Sequence, residues 1–439
     1  MAHILFLTLY YPPEKGAAAS RISQYAEHLV QRGHQVTVLT TVPNYPTGVV
    51  PPEYRGRLLQ EETRAGVRVV RVWSYTSPNR GFLRRILAHL SFGCLAPILG
   101  ARAVGRPDLL IVESHPLFNA IAGRLLSRWK GSPYVFTVSD LWPESAVQLG
   151  VLRNRLLIRL AEWLEWSSYK RASLVWVLTE GIRDQLLRRG LAAEKVFFLT
   201  NGVDTSKFFP RPQAEARQHL GWEESFTVLY AGTLGISHGL TTVLDAAEQL
   251  RPYPAIRIRL VGDGGAKPEL LAEARRRGLE NVVFMDPFPH EQVPLLLAAA
   301  DACLIMMRKL PLFEGALPCK MYEALACGRP ILLAVDGEAR RLAEEAGAAL
   351  FVEPENPTAL AQAIVQLYKQ PALAQALSAR GRALAEERFD YDQLSARLDA
   401  QIAAFLSPSS STPLAPSSSQ EQQNQRQQEY DPNTSMSYR

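Results

Sequence analysis

Cysteine is scarce in this 439-residue chain: four residues, Cys94, Cys303, Cys319 and Cys327. They are too few and too scattered for a disulfide framework, and no pair has the CxxC spacing of a zinc or thioredoxin-type site. Such usage fits a reducing compartment, and a cytoplasmic protein is expected. Long apolar runs are also missing. The best candidate, residues 86–101, falls about four residues short of the ~20 needed to cross a bilayer and contains His89, Gly93 and Pro97. The apolar start, Ala2 to Tyr10, has no basic n-region and runs into Pro12-Pro13, so it reads as a buried strand, not a signal peptide. The dinucleotide loop G-x-G-x-x-G does not occur; Gly262-Asp263-Gly264-Gly265 has the wrong spacing. The P-loop G-x-x-x-x-G-K-[ST] is absent as well, which argues against a resident dinucleotide or a P-loop nucleotide. No solenoid repeat is visible.

What the chain does have is ordinary globular composition, 47% hydrophobic and 21% charged, and a regular alternation of strand and helix patterns. Strands are predicted at 4–8, 35–41, 67–73, 109–113, 134–138, 174–178 and 196–199, with helices at 17–31, 82–104, 118–128, 156–169 and 182–189. After the Asn201-Gly202 turn and the prolines near 210, a second series follows: strands at 227–231, 256–261, 282–285, 302–306, 331–334 and 349–352, with helices between. This is the pattern of βαβ units on parallel sheets. We expect an α/β protein of two Rossmann-like, doubly wound domains, 1–200 and 201–388, facing a central cleft. A C-terminal helix, 389–406, would pack back on the first domain. The Ser/Pro/Gln-rich tail, 407–439, is expected to be disordered.

Charge is unevenly shared. Residues 1–195 carry 25 Lys/Arg against 14 Asp/Glu, whereas 196–439 carry 23 against 29. The basic half could face phosphates, anionic lipid or nucleic acid, although no nucleic-acid motif is present and no nucleic-acid partner is expected. Arg80, Phe82, Arg84 and Arg85 open an apolar helix, which suggests peripheral docking on a membrane; a core helix with a solvated charged end is the competing reading.

Ligands of doubly wound folds bind beyond the strand C-termini, beside helix N-termini. The segments that follow strands are therefore the candidate sites. Tyr11 to Ala18 includes Gly16, where the backbone lies open to an anion. His115 and Asp140 each follow a strand and could meet a sugar hydroxyl or a developing charge, or could serve as caps. Gly232, Thr233 and His238 lie in a three-glycine loop suited to a diphosphate. Gly262 follows the next strand. Leu317, Lys320 and Glu323 lie around a helix start at Pro318; a cation beside free N–H groups suits a diphosphate, and a carboxylate one turn on suits a ribose diol. Asp390-Tyr391-Asp392 resembles a metal-binding DxD, but capping of the last helix is the simpler reading.

These segments resemble glycosyltransferase family 4, the retaining enzymes of GT-B fold, and within it the colanic-acid and O-antigen type that includes fucosamine transferases. The resemblance rests on Tyr11-Pro12-Pro13-Glu14, Asp140-Leu141-Trp142-Pro143-Glu144, Asn201-Gly202-Val203-Asp204 with Phe208, Tyr230-Ala231-Gly232, Val261-Gly262-Asp263-Gly264, and Leu317 through Pro330, and it covers residues 1 to about 406. It implies a nucleotide-sugar donor in the second domain, with UDP as the expected nucleotide, a lipid-linked or glycan acceptor in the first, and no essential metal or other cofactor. It also implies a Glu-x7-Glu pair. Glu323 matches the second Glu; the first is expected at 315, where Gly315 stands, and Glu314 lies one residue early. The Arg and Lys that many relatives carry after Tyr-Ala-Gly are replaced here by Thr233 or Leu234 and His238, which leaves Lys320 as the phosphate cation.

The expected reaction is transfer of a sugar with retention, by front-face substitution in which the departing phosphate oxygen takes the acceptor's proton. Stabilisation of the leaving diphosphate would dominate the rate. His115, Asp140 and Glu314 are the candidate catalytic residues. A nucleotide-sugar 2-epimerase of the same fold and a non-catalytic membrane- or polyanion-binding protein are the alternatives.

Overall fold

The computed structural model describes residues 1–14, 16–45, 47–77, 82–148, 150 and 152–407. Arg80 and the expected disorder of 408–439 fall outside them. Fourteen strands form two sheets among the described residues. The first holds β1 (His3–Leu7), β2 (Gln35–Thr41), β3 (Leu59–Arg64), β4 (Val67–Val72), β5 (Leu109–Glu113), β6 (Tyr134–Val138), β7 (Leu174–Val177) and β8 (Val196–Phe198), in the order β3-β4-β2-β1-β5-β6-β7-β8. The second holds β9 (Phe226–Ala231), β10 (Ile256–Val261), β11 (Val282–Met285), β12 (Ala302–Met306), β13 (Ile331–Ala334) and β14 (Ala349–Phe351), in the order β11-β10-β9-β12-β13-β14. All pairings are parallel except β3 with β4.

The central strands are apolar on both faces because helices cover both. Ile4, Leu5, Phe6 and Leu7 of β1 are all fully buried, as are Leu332 and Leu333 of β13. One core lies in the first sheet's layers and two flank the second sheet. The strand order reverses between β1 and β5 and again between β9 and β12. Those two reversals are the switch points at which doubly wound sheets open a crevice. Gly16 and His115 follow β1 and β5, and Gly232 and the 307–318 segment follow β9 and β12.

The expected strands are present with shifts of a residue or so at their ends. One strand was missed. Leu59–Arg64 reads Leu-Gln-Glu-Glu-Thr-Arg and lacks the apolar content of a buried strand, because it is an antiparallel edge with only one neighbour. The helix expected at 82–104 ends earlier, as Phe82–Gly100, and contains Pro97. Asp390 caps the last helix, Tyr391–Leu406: one carboxylate oxygen accepts from the Asp392 N–H at 2.8 Å, and the other accepts from the Thr205 hydroxyl and N–H. That helix leans back on the first domain through Asp399. Arg32 binds Asp392 at 2.6 Å, His34 meets Asp399 at 2.8 Å, and Tyr25 stacks edge-on against Tyr391.

Candidate active site

A cleft of about 1200 Å³ separates the two sheets' facing edges, and both domains line it. From the first domain come Ala17, Arg85, His89, His115, Ser139 and Asp140; from the second, Ser237, His238, Glu314, Leu317, Lys320 and Glu338. Most residues singled out in the sequence thus meet in one cavity. Gly16, Gly232, Thr233, Gly262 and Glu323 do not form its wall, and their roles are built differently.

Lys320 is the centre of the second domain's side of the cleft. The helix Cys319–Ala326 starts after Pro318, which offers no side chain to cap it. Its first N–H groups and their positive dipole end therefore face the cleft. Lys320 does not pair with Glu323 in a surface ion pair; its ammonium donates to the Tyr230 hydroxyl at 2.9 Å and lies 4.0 Å from that ring's centroid. Burial pulls the ammonium's pKa down to about 8, and Glu323 partly counters this. Gly232 keeps the space for it, since a Cβ there would stand 2.9 Å from Nζ. Its φ of 145° also disfavours any side chain. Thr233 lends its carbonyl to the Tyr230 hydroxyl at 2.8 Å, which fixes the ring under Lys320.

Gly262 lies beneath this loop. A Cβ on it would come 1.9 Å from the Gly232 carbonyl oxygen, so it lets β9 and β10 deliver their loops in contact. His238 reaches the cleft from a short helical turn, Ile236–His238. Burial, reinforced by Lys320, lowers its pKa to about 4, so in the free protein it is a neutral imidazole at pH 7 and not the cation the sequence allowed. Its buried Nδ1 has no hydrogen-bond partner. Glu323 sits one turn along the helix from Lys320, its side chain 25% exposed and 3.4 Å from the His290 Nε2.

Glu314 and Gly315 cross the seam between the domains. The Glu314 carbonyl accepts from the Glu338 N–H at 2.7 Å, and a Cβ on Gly337 would collide with it. A Cβ on Gly181, in the first domain, would lie 2.6 Å from the Gly315 Cα. Gly181 is thus the glycine this contact requires, whereas a Cβ on Gly315 would stand 3.3 Å from the Gly181 Cα, a tight fit against another backbone.

Beside that contact, the Glu338 carboxylate takes the N–H groups of Glu180 and Gly181 at 2.8 and 2.7 Å. It thereby caps the first domain's helix Glu180–Arg188 from the second domain, and Arg341 pairs with Glu180 at 2.8 Å. Burial raises the Glu338 pKa against these two hydrogen bonds. The sequence analysis missed this clasp. Gly337-Glu338 directly after a strand and its turn was the only available signal.

On the first domain's side of the cleft, His115 and Asp140 emerge from neighbouring strands β5 and β6. Asp140 accepts from the Ser145 hydroxyl at 3.1 Å, so it steadies the next helix through a side chain and still lines the cleft. Beneath them lies a polar chain not foreseen from sequence. Glu113, fully buried, accepts from Ser139 at 2.8 Å and pairs with the equally buried Arg21. Arg21 donates to Asn201 at 3.2 Å, and Asn201 contacts the Cys319 sulfur at 3.6 Å. The chain joins β5 and the segment after β6 to the start of the helix Cys319–Ala326. Gly16 opens the helix Ala17–Gln31 with φ 149° and lies exposed beside the cleft wall at Ala17. Arg84 is exposed, and Arg85, though exposed too, also lines the cleft. Phe82 begins its helix.

Two facing Rossmann-like domains with a cleft between them and a cation at an uncapped helix start are the GT-B arrangement. The comparisons agree: residues 16–202 match the Glycosyl transferase 4-like domain, and residues 212–384 match the Glycosyl transferases group 1 domain. The chain belongs to these family 4 type glycosyltransferases and is a transferase enzyme. It is 29% identical over 380 residues to WcaI of Escherichia coli K12, named for colanic acid biosynthesis, covering 84% of this chain and 92% of that one. It is 24% identical to the glycosyltransferase WbjE of Pseudomonas aeruginosa, covering 66% and 74%. Among solved structures it resembles sucrose-phosphate synthase from Thermosynechococcus elongatus (TM-score 0.74, 19% identity, 92% of this chain and 99% of that one). It also resembles Anabaena HepE in complex with UDP and glucose (TM-score 0.70, 22% identity, 92% and 100%).

Proposed function

We propose that the protein transfers a sugar, with retention, from a nucleoside-diphosphate sugar to a lipid-linked or oligosaccharide acceptor of a cell-surface polysaccharide, at the cytoplasmic face of a membrane. UDP is the proposed nucleotide, a choice supported by the UDP and glucose bound to the HepE neighbour. The observation that carries the reading is Lys320: a half-buried ammonium held over Tyr230 at the mouth of an uncapped helix. A partly desolvated cation that pairs with no described carboxylate is costly, and a diphosphate would supply the counter-charge.

In this reading the diphosphate lies against the first turn of the helix Cys319–Ala326 and Lys320. Glu323 takes the ribose hydroxyls, and the backbone of 314–317 holds the donor sugar where relatives use an acidic side chain. No essential metal is invoked, since helix dipole and ammonium carry the charge balance. As the sugar–phosphate bond breaks, charge grows on the β-phosphate oxygen beside Lys320, and donors already in place stabilise it without reorganising. That oxygen accepts the acceptor's proton on the same face. His115 and Asp140 orient the acceptor hydroxyl, and the closed seam at Gly181 and Gly315 excludes water.

A panel of nucleoside diphosphates and their sugars, read by thermal shift, tests this directly. At 100 times its Kd a ligand stabilises by about 2.7 kcal/mol. UDP is expected to raise the melting temperature of the wild type and not of Lys320→Ala, whose transfer rate is expected to fall on the order of a hundredfold. Near-normal transfer by Lys320→Ala would remove it from the phosphate role.

A further inference from the structure

The helix Arg155–Arg171 packs its Ala161, Leu164, Ser168 and Tyr169 inward. Leu156, Leu160 and Trp163 lie away from that face, with Leu156 75% and Trp163 61% exposed, and Leu157 is exposed in the first turn. The spacing of 156, 160 and 163 makes one continuous stripe along two turns. Nearby, the helix Phe82–Gly100 shows a parallel stripe: Leu83, Leu87, Leu90 and Ile98 are exposed at helical intervals, Leu83 by 73%. Helix Asn119–Lys130 packs against both, so the two stripes belong to one layer of the first domain. The helix Phe82–Gly100 starts at the cleft end, since its Arg85 and His89 line the cavity.

Exposed apolar surface of this extent rarely lacks an occupant. Its charges say which kind. Arg84, Arg153, Arg155 and Arg159 are exposed around the stripes, against a single exposed carboxylate on the helix Arg155–Arg171, Glu162. Leucines at the centre, arginines at the margin and a tryptophan between them match the layers of a bilayer's headgroup region.

We infer that these two helix faces together form a monotopic docking surface for an anionic lipid bilayer, with the Leu156–Trp163 face as the main inserting element. This deepens the proposed function by naming the partner surface that delivers a lipid-linked acceptor to the cleft mouth. It also moves the centre of docking from the helix start singled out in the sequence to a helix that had drawn no attention. The acceptor's lipid stays in the bilayer, while its sugar end rises past Arg85 towards His115 and Asp140.

The test uses the full chain and sedimentation with vesicles of phosphatidylglycerol and phosphatidylcholine. Leu160→Glu with Trp163→Glu, both at exposed positions, is expected to lower vesicle affinity at least tenfold. Arg155→Glu with Arg159→Glu is expected to cost on the order of fivefold per arginine, on anionic vesicles only. UDP binding, measured by thermal shift, should be unchanged in all variants; a wild type that ignores UDP would sink the donor assignment without touching this one. Undiminished vesicle binding by the Leu160/Trp163 variant overturns the inference. So does a wild-type dimer, seen by light scattering, that the same variant converts to monomer, because the face would then belong to a second copy of the chain.

Discussion

One ammonium stands out on the second domain's side of the cleft. The pKa of Lys320 is pulled down to about 8 because burial penalises its charge, Glu323 counters this only in part, and no carboxylate among the described residues pairs with it. The folded state therefore binds fewer protons than the unfolded chain between about pH 8 and the ordinary lysine value near 10.4, and this group's contribution to stability rises with pH across that window. Below pH 8 the lysine is charged, and the cost of burying it is carried in full. Diphosphate affinity should run the other way: strong below pH 8 and falling as pH rises through it. Isothermal titration with UDP between pH 6.5 and 9.5 should show that fall in the wild type and a flat, weaker profile in Lys320→Gln. An equal slope in both would place the titrating group elsewhere.

Among the elements, the helix Glu180–Arg188 has an arrangement unlike its neighbours. Thr179 caps it locally, through the Ile182 N–H, and Glu338 caps it from the other domain. A cap of this kind contributes about 1 kcal/mol. Here it also fixes the distance between the domains, because the same two segments bring Gly181 onto Gly315. Glu338→Ala is expected to lower the melting temperature modestly and to reduce transfer more than UDP binding, since in the proposed reading the nucleotide rests on the second domain. Small-angle scattering should show a more open particle. If the variant lost UDP binding and transfer in proportion, Glu338 would be acting on the donor pocket and not on closure.

Across the whole molecule, the polar chain Ser139–Glu113–Arg21–Asn201–Cys319 ties the ends of two strands, the first helix and the interdomain turn to the donor helix. A buried pair is weak evidence for stability, but breaking one partner leaves an uncompensated charge. Arg21→Met is expected to destabilise by roughly 3–5 kcal/mol in urea melts. The double variant Arg21→Met with Glu113→Gln should recover much of that loss. Recovery of stability without recovery of transfer would identify the chain as a positioning device for His115, Asp140 and Lys320; recovery of both would make it structural only.

The alternation of apolar runs with amphipathic helices was enough to determine both sheets, because parallel strands buried on two faces must be apolar along their length. It failed at Leu59–Arg64, where an edge strand needs no such run. The positions that follow strands at the order reversals were also legible, since topology alone directs His115, Asp140, His238 and Lys320 to a crevice. What sequence could not supply was pairing across long separations: Lys320 with Tyr230, Gly262 under Gly232, Glu338 on the helix at 180, and Arg21 with Glu113. Each depends on where two distant backbones stop relative to one another, and that is decided by packing, which local periodicity does not encode. The same holds for the Leu156–Trp163 stripe. Its helix was written in the sequence, but which apolar face would remain uncovered was settled only when the neighbouring layers had taken their places.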